Sequence, residues 1–328
     1  MRVVYLGTPA AAVPPLEALL ASGHQVVAVV TRPDKPRDHR GGRPAPSPVR
    51  RAAEAAGLPL LTPPRGRDPE LPAQLAAFAA DVGFTCAFGY LLPDPVLEAF
   101  PRGVLNLHFS LLPAYRGPAP VQHALLDGRT VTGISTFVID QGMDTGPLLL
   151  TAEVPIRPDE DAGQLTARLA EVGARLTVET LDALEAGTVT PRPQPEAGAS
   201  LAPKIRPEQA CLDWTAPAKR LLDAVRAFNP APGAWTTMRG RRLKVPRAAL
   251  PSGGDPPLAP GELAVGHRGE LLAGAGDGVV ELVCVQPEGR RAMAGGDFAR
   301  GARLAPGERL GPPGGSSSGA VAPRVDKG

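Results

Sequence analysis

Two polar side chains, Asn106 and His108, occupy alternate positions of a short apolar run. Their neighbours Val104, Leu105 and Leu107 are apolar, and this alternation predicts a strand with one buried face. Because residues two apart on a strand point to the same side, both polar side chains are expected on one face. Such a pair alone is more often solvated or held in a structural hydrogen bond than catalytic. Its meaning therefore depends on what lies beside it.

A second stretch adds a carboxylate to this pair. An apolar strand, predicted over residues 134–139, runs into a glycine-flanked loop that carries Asp140 and Asp144. A carboxylate in such a loop can approach a histidine on a neighbouring strand. An amide, an imidazole and a carboxylate together suit acyl-type transfer, in which a proton must move and an oxyanion must be held.

The elements around the Asn-x-His pair favour a ligand site. After the strand the chain turns through Ser-Leu-Leu-Pro and Arg-Gly-Pro, and a helix is predicted over about 119–127, with prolines near its start. A polar pair at a strand end, followed by a loop and a helix, is where open α/β sheets place their ligands.

The same residues resemble a known family. NLHFSLLPAYRGPAP followed by DQGMDTG is similar to the formyltransferases that take a formyl group from 10-formyltetrahydrofolate. Further matching stretches are YLGTPAAAVPPLEAL, VTRPDKP, AFGYLLP and RAFNPAPGAWT, so the resemblance runs from about residue 1 to 250. Within the family the motifs are most similar to members that formylate methionine on initiator Met-tRNA, and this reaction is the expected function.

The resemblance implies roles for individual residues. Asn106 is expected to donate its amide N–H to the developing oxyanion, and His108 to donate to that oxygen or to shuttle the amine proton. Asp144 is expected to orient His108, to raise its pKa and to relay the proton. The folate pocket is expected to be lined by two loops, with the residues Leu91, Leu92, Ser110, Leu111, Leu112 and Pro113.

Two basic segments are candidates for binding the tRNA. Residues 32–51 hold seven Lys or Arg against two Asp, and residues 190–250 hold eleven Lys or Arg against four acidic residues. The overall charge is only +2, so the positive charge is concentrated, as expected for a polyanion-binding surface. In the related enzymes a basic loop usually reads GRGKK, where this chain has DHRGGR. The candidate tRNA contacts are Arg40, Arg43, Lys204, Arg241 and Arg242.

The length of the chain and the change in composition along it predict two domains. The 328 residues, 43% of them hydrophobic, are enough for two cores. Alternating strands and helices predict an α/β catalytic domain over residues 1–189, with a Rossmann-like open parallel sheet. A proline-rich linker is expected over 190–207, a smaller β-barrel over 208–304, and a disordered tail over 305–328. The family resemblance implies that this barrel is OB-like and binds tRNA.

Composition limits the other properties. Three widely spaced cysteines suit neither a disulfide framework nor a zinc site, and they fit a reducing cytoplasm. No apolar run approaches the ~20 residues that span a bilayer. Together with the family resemblance, which implies 10-formyltetrahydrofolate as formyl donor, the expectation is a cytoplasmic monomer without a metal and away from membranes.

Other reactions fit the same residues. The acceptor could be a small amine, either glycinamide ribonucleotide or an amino sugar nucleotide, or it could be water in a 10-formyltetrahydrofolate hydrolase. A catalytically silent RNA-binding protein is a further alternative, and the complete Asn, His and Asp set argues against it. The second domain and the basic loop favour tRNA.

Overall fold

A seven-stranded sheet organises residues 1–205. The structure is a computed structural model that describes residues 1–34, 45–253 and 257–311, and these divide into two units at residues 205 and 206. In the first unit the strand order is β3-β2-β1-β4-β5-β6-β7. The strands are β1 (Arg2–Gly7), β2 (Gln25–Val30), β3 (Leu60–Leu61), β4 (Val82–Cys86), β5 (Val104–His108), β6 (Val131–Val138) and β7 (Leu148–Pro155).

The sheet is mainly parallel and it reverses direction at one edge. Strands β1 to β5 pair in parallel, whereas β6 is antiparallel to β5 and β7 is antiparallel to β6. The expected α/β class with an open, Rossmann-like parallel sheet is confirmed, and the sheet adds an antiparallel edge of two strands. After β3 the chain crosses back, so that β4 lies on the other side of β1 from β2. The strand order therefore reverses between β1 and β4, and open α/β sheets bind their ligands at such a switch point.

Six α-helices in the described part of the first unit cover the sheet. The longest begins at a capping box, in which the Asp161 side chain accepts from the Gln164 N–H and the Gln164 side chain accepts from the Asp161 N–H. Gly173 of this helix lies so close to β5 that an added Cβ would come within 2.6 Å of Leu107 Cδ2. The helices are α1 (Val13–Leu20), α2 (Pro48–Ala55), α3 (Leu71–Ala76), α4 (Asp94–Leu97), α5 (Pro120–Leu126) and α6 (Ala162–Glu185).

An antiparallel sheet curls into a barrel in the second unit, and this confirms the predicted smaller β domain. Its path is β10-β11-β12-β9-β8, with β13 paired to β12. Helix α7 packs against β9 and β12, and its Leu221 and Val225 are buried. The elements are α7 (Ala218–Phe228), β8 (Trp235–Met238), β9 (Arg241–Ala249), β10 (Leu263–Val265), β11 (Leu271–Gly274), β12 (Val279–Pro287), β13 (Met293–Ala294) and α8 (Gly295–Ala302).

The first residues of the expected disordered tail close this barrel. Arg309 bridges to Glu262 beside β10, and Leu310 bridges to Met238 of β8, so the segment joins the two edges of the sheet. Leu310 is 6% exposed. The Arg239 guanidinium donates to the Glu308 carboxylate through Nε and Nη2. The prediction of disorder is therefore wrong for residues 305–311, because these residues pair with backbone groups at the edges of the sheet and Leu310 is buried in the core. Residues 312–328 lie outside the described residues.

The segment expected to be a linker over 190–207 packs on the first unit for most of its length. Arg192 exchanges two backbone hydrogen bonds with Leu148 of β7, at 2.7 and 2.8 Å. Ser200 and Ala202 pair with Arg116, at 2.8 and 2.7 Å. We call residues 192–202 the strap. It bonds both to the edge of the sheet and to the turn after β5, although its sequence has few large apolar residues.

We expect a chain that ends at residue 304 to be less stable than one that ends at Gly311. Removing residues 305–311 exposes the apolar surface that Leu310 covers, about 2 kcal/mol, which corresponds to a fall in Tm of roughly 5 °C or more. Thermal unfolding of the two truncated chains measures the difference. Equal Tm values would show that the closing contacts contribute nothing.

Candidate functional site

A cavity of about 820 Å³ lies at the carboxyl ends of β4 and β5, beside the switch point of the sheet. Two loops form most of its wall, residues 87–94 after β4 and residues 139–144 after β6. Asn106, His108 and Asp144 all line this cavity. The structure thus brings together the three residues in which the sequence predicts acyl-type chemistry.

The Asn106 amide is oriented by a neighbouring strand. Thr85 Oγ1 of β4 donates to Asn106 Oδ1 at 3.1 Å, and both residues line the cavity. In this orientation of the side chain, the amide oxygen is the atom that accepts from the Thr85 hydroxyl. With its oxygen engaged by Thr85, the amide keeps both Nδ2–H groups for an acceptor on a ligand. Asn106 can therefore stabilise negative charge that develops on a ligand oxygen.

His108 is buried, and one hydrogen bond fixes its tautomer. Its Nε2 lies 2.9 Å from the carbonyl oxygen of Tyr115. Because a carbonyl only accepts, Nε2 carries the proton, and Nδ1 holds a lone pair when the ring is neutral. Nδ1 is the atom nearer to Asp144, at 3.7 Å from Oδ2, which is too long for a direct hydrogen bond.

Burial decides the charge state of His108. Desolvation lowers its pKa below the ordinary value of 6.5, while Asp144 and the Tyr115 carbonyl raise it without overcoming the burial. The sequence leads us to expect that Asp144 raises this pKa, and the carboxylate does act in that direction. The net shift is nevertheless downward. His108 is therefore a neutral base at neutral pH.

Tyr115, which accepts from His108, is held at three points. Its hydroxyl donates to Asp127 at 2.8 Å and accepts from Arg129 Nε at 2.9 Å. Its backbone N–H donates to Ser200 Oγ of the strap at 2.9 Å. Tyr115 has a positive φ of 61°, a conformation that a non-glycine residue keeps only when its surroundings fix it. The carbonyl that selects the His108 tautomer is thus rigidly placed.

Asp144 is positioned by backbone contacts. Its Oδ2 accepts the Gly117 N–H at 2.8 Å, and its own φ of 54° is in the left-handed region. Gly117 has a φ of 116° and lies against the strap, where a Cβ would come within 2.8 Å of the Ala202 oxygen. Only glycine suits that conformation and that approach. The Arg-Gly turn in the sequence therefore serves to hold the carboxylate beside His108.

The residues expected to bind folate divide into two groups. Leu91 and Leu92 line the cavity, whereas the four residues from Ser110 to Pro113 do not. Ser110 is fully buried and donates to Ala114, and the Leu112 N–H donates to Ser135 Oγ. These polar groups are used within the turn that carries Tyr115, and the folate-binding role expected for this loop stays a prediction. The residues that do not line the cavity are Ser110, Leu111, Leu112 and Pro113.

The candidate tRNA contacts lie in different parts of the chain. Arg40 and Arg43 fall outside the described residues. Lys204 is exposed at the end of the first unit. Arg241 and Arg242 are exposed on β9 of the second unit, and the Arg242 guanidinium lies 4.0 Å from the Trp235 ring centre. This cation–π contact with the indole holds the positive charge of Arg242 in one place on the surface.

Sequence reasoning did not identify Thr85, Tyr115 or the strap. A threonine in an apolar strand carries little signal, and Tyr115 acts through its backbone carbonyl, which any residue type provides. The low complexity of the strap hides its contacts. In the described part of the chain there is no group of three His, Cys, Asp or Glu residues that could hold a metal ion. None of the described helices is long and apolar enough to cross a membrane.

Comparison with known proteins gives consistent matches. The formyl transferase family model matches residues 1–181, and the model for the formyl transferase C-terminal domain matches residues 204–303. The methionyl-tRNA formyltransferase of Streptomyces coelicolor is 50% identical to this chain over 313 residues. That match covers 95% of this chain and 100% of the relative.

Solved structures show the same fold at low sequence identity. An N-formyltransferase from Helicobacter canadensis, in complex with folinic acid and dTDP-3-aminofucose, gives a TM-score of 0.65 at 17% identity, with 85% of this chain and 97% of that chain covered. Methionyl-tRNA formyltransferase from Clostridium thermocellum gives a TM-score of 0.55 at 17% identity, with 77% and 95% covered. These two likenesses concern the fold.

The burial of neutral His108 makes stability depend on pH. Its pKa is lowered by folding, so the unfolded chain binds a proton there at a higher pH than the folded chain. The contribution of His108 to the free energy of unfolding is therefore fully present above pH 6.5 and is lost as the pH drops from 6.5 toward the lowered pKa. We expect urea unfolding from about pH 7.5 to about pH 5 to show a larger loss for the wild type than for His108→Gln. Parallel losses in the two proteins would contradict the shift.

Proposed function

Because the chain belongs to the formyl transferase family, we propose that it moves the formyl group of 10-formyltetrahydrofolate to the amino group of methionine on initiator Met-tRNA. The observation that carries the proposal is the 50% identity to a methionyl-tRNA formyltransferase across the whole length of that relative. The cavity with its amide, imidazole and carboxylate supplies the chemistry.

The cavity suits a folate-sized donor. Its volume of about 820 Å³ lies within the range of roughly 300–1,000 Å³ that small-molecule sites occupy. The loop with Leu91 and Leu92 offers apolar contact, and the backbone of residues 139–144 offers hydrogen-bonding groups. We propose that the flat ring system of the donor packs between these two loops, with its formyl group toward Asn106.

The first step is attack of the methionyl amine on the formyl carbon. As the new C–N bond forms, negative charge develops on the formyl oxygen, and Asn106 Nδ2 donates to it. His108 takes the amine proton at Nδ1, since Nε2 remains bonded to the Tyr115 carbonyl. The Asp144 carboxylate, 3.7 Å from Nδ1, stabilises the imidazolium that results.

The second step releases the products. The tetrahedral centre collapses, the bond from the formyl carbon to N10 of the folate breaks, and N10 receives the proton from His108. The products are tetrahydrofolate and N-formylmethionyl-tRNA, and His108 is again neutral. The chain needs no covalent intermediate for this sequence, because the amine itself is the nucleophile.

Other acceptors remain to be compared with tRNA. The structure with dTDP-3-aminofucose shares the fold at 17% identity, while the relative named for Met-tRNA is 50% identical. Exposed cations in both units, Lys204, Arg241 and Arg242, also favour a large polyanion. We therefore propose Met-tRNA as the acceptor, with the protein acting as a monomer in the cytoplasm.

The direct test is a comparison of acceptors. Purified protein and 10-formyltetrahydrofolate are incubated with charged initiator tRNA, charged elongator tRNA, glycinamide ribonucleotide, an amino sugar nucleotide or no acceptor. We expect formylation of initiator Met-tRNA to exceed that of every other acceptor. Preferred transfer to a small amine, or release of formate at the same rate without an acceptor, would replace the proposal with that reaction.

We expect Asn106→Ala to lower kcat by about 10²- to 10³-fold, the usual cost of removing an oxyanion donor. His108→Ala and Asp144→Ala should also abolish most turnover. As a matched pair, Thr85→Val removes the bond that orients the amide while Thr85→Ser keeps it, so only the valine variant should lose activity. Near-normal turnover of the alanine variant at any one of the three positions would remove that residue from the mechanism.

Salt should separate the two substrates. Phosphate contacts release counterions, so the KM for tRNA should rise steeply with salt, while the KM for the folate should change little. The double variants Arg241→Gln with Arg242→Gln and Arg40→Gln with Arg43→Gln should each reduce the salt slope, by about 1 for each phosphate that the variant no longer binds.

A control for net charge is Arg268→Gln with Arg303→Gln, two exposed positions elsewhere in the second unit. This control should leave the slope unchanged. Equal salt dependence for both substrates, with an unchanged slope in both test variants, would count against tRNA as the acceptor.

A further inference from the structure

Gln194 of the strap contacts two loops with one amide. Its Nε2 donates to the backbone oxygen of Asp144 and to that of Gly146, each at 2.8 Å. Its Oε1 accepts from Nε and Nη2 of Arg116, at 3.0 and 2.7 Å. Gln194 is half-buried, and these four bonds use both ends of its side chain. Such a complete set is unusual for a residue in a segment whose composition is that of a linker.

The first contact fixes the loop that carries the carboxylate. Asp144 has a φ of 54°, which costs energy unless the surroundings hold it. Gly146 is packed so closely that an added Cβ would come within 1.8 Å of the Val138 oxygen. Gln194 therefore binds the two carbonyls on either side of Thr145 in a loop whose backbone must stay in one unusual conformation.

The second contact reaches the turn that orients His108. Arg116 follows Tyr115, whose carbonyl accepts from His108 Nε2 at 2.9 Å. Arg116 is also paired through its backbone with the strap. The Gln194 amide thus connects the turn whose Tyr115 carbonyl accepts from His108 with the loop that carries Asp144. The distance between the imidazole and the carboxylate depends on both loops.

We propose that Gln194 is a positioning residue that sets the Asp144 carboxylate at its distance from His108 Nδ1. The inference rests on the proposed formyl transfer, because it concerns how the base of that reaction is supported. Without the Gln194 amide the Asp144 loop can leave its conformation, which removes the electrostatic support of the imidazolium. A displacement of about 1 Å in such a site can cost about 100-fold in rate.

Two substitutions separate the ends of the amide. Gln194→Glu keeps the size and the acceptor for Arg116 but cannot donate to the two carbonyls, so it releases the Asp144 loop alone. Gln194→Met keeps the length and can make neither set of hydrogen bonds. Glu196→Gln, an exposed position on the same strap, is the matched control. The measurements are kcat, the KM for each substrate, the pH profile of kcat/KM and Tm.

We expect kcat to fall at least about tenfold in both Gln194 variants, with little change in either KM. In Gln194→Met the acidic limb of the pH profile should move to lower pH, because Asp144 raises the pKa of His108 and the variant removes that effect. Tm should stay near that of the wild type in Gln194→Glu, since the hydrogen bonds with Arg116 remain. Glu196→Gln should behave as the wild type does.

Wild-type kcat and an unmoved pH limb in the two variants would overturn the inference. A loss of kcat that follows a fall in Tm in both variants would also overturn it, since the role would then be stability. Failure of the proposed function is distinguishable, because the wild type itself would then not formylate Met-tRNA.

Discussion

The hydrogen bond from His108 Nε2 to the Tyr115 carbonyl is the contact on which the site depends. It decides that Nδ1 is the free nitrogen, and it ties the end of β5 to the turn that follows. That turn is itself fixed through the Tyr115 side chain, the Gly117 backbone and the strap. A small set of backbone groups thus sets both the tautomer of the base and the place of the carboxylate beside it.

Burial and charge act in opposite directions on the pKa of His108, and burial has the larger effect. Desolvation of the charged imidazole outweighs the attraction of a carboxylate 3.7 Å away. This balance suits a base that must begin neutral and become charged during the reaction. If Asp144 were in direct hydrogen-bonding contact, the imidazole would be protonated more readily and less of it would be available as a base at neutral pH.

Much of the first unit follows from local patterns in the sequence. The apolar runs that predict strands around Asn106 and His108 and over residues 134–139 correspond to β5 and β6, because buried strands need such runs whatever their partners are. The antiparallel direction of β6 depends on where the chain goes after α5, and no local pattern records that. Asn106, His108 and Asp144 can be recognised from the sequence because they lie in the specific motifs NLHFSLLP and DQGMDTG.

Two of the missed segments, the strap and residues 309–310, make contacts to backbone atoms far away in sequence. Gln194 reaches the carbonyls of residues about 50 positions earlier, and residues 309–310 close a barrel through bridges to Glu262 and Met238. Composition predicts a linker and a disordered tail for these segments, since both are rich in small and polar residues. Backbone pairing does not require a particular residue type and leaves little trace in composition.

The measurement that tests the account most directly is the pH dependence of kcat/KM for the wild type and for Asp144→Asn. We expect an acidic limb below pH 6.5, since activity requires neutral His108 and burial lowers its pKa. In Asp144→Asn the limb should move to still lower pH, because the carboxylate that raises this pKa is gone. An acidic limb above 6.5, or one that does not move in the variant, would contradict a buried neutral histidine supported by Asp144.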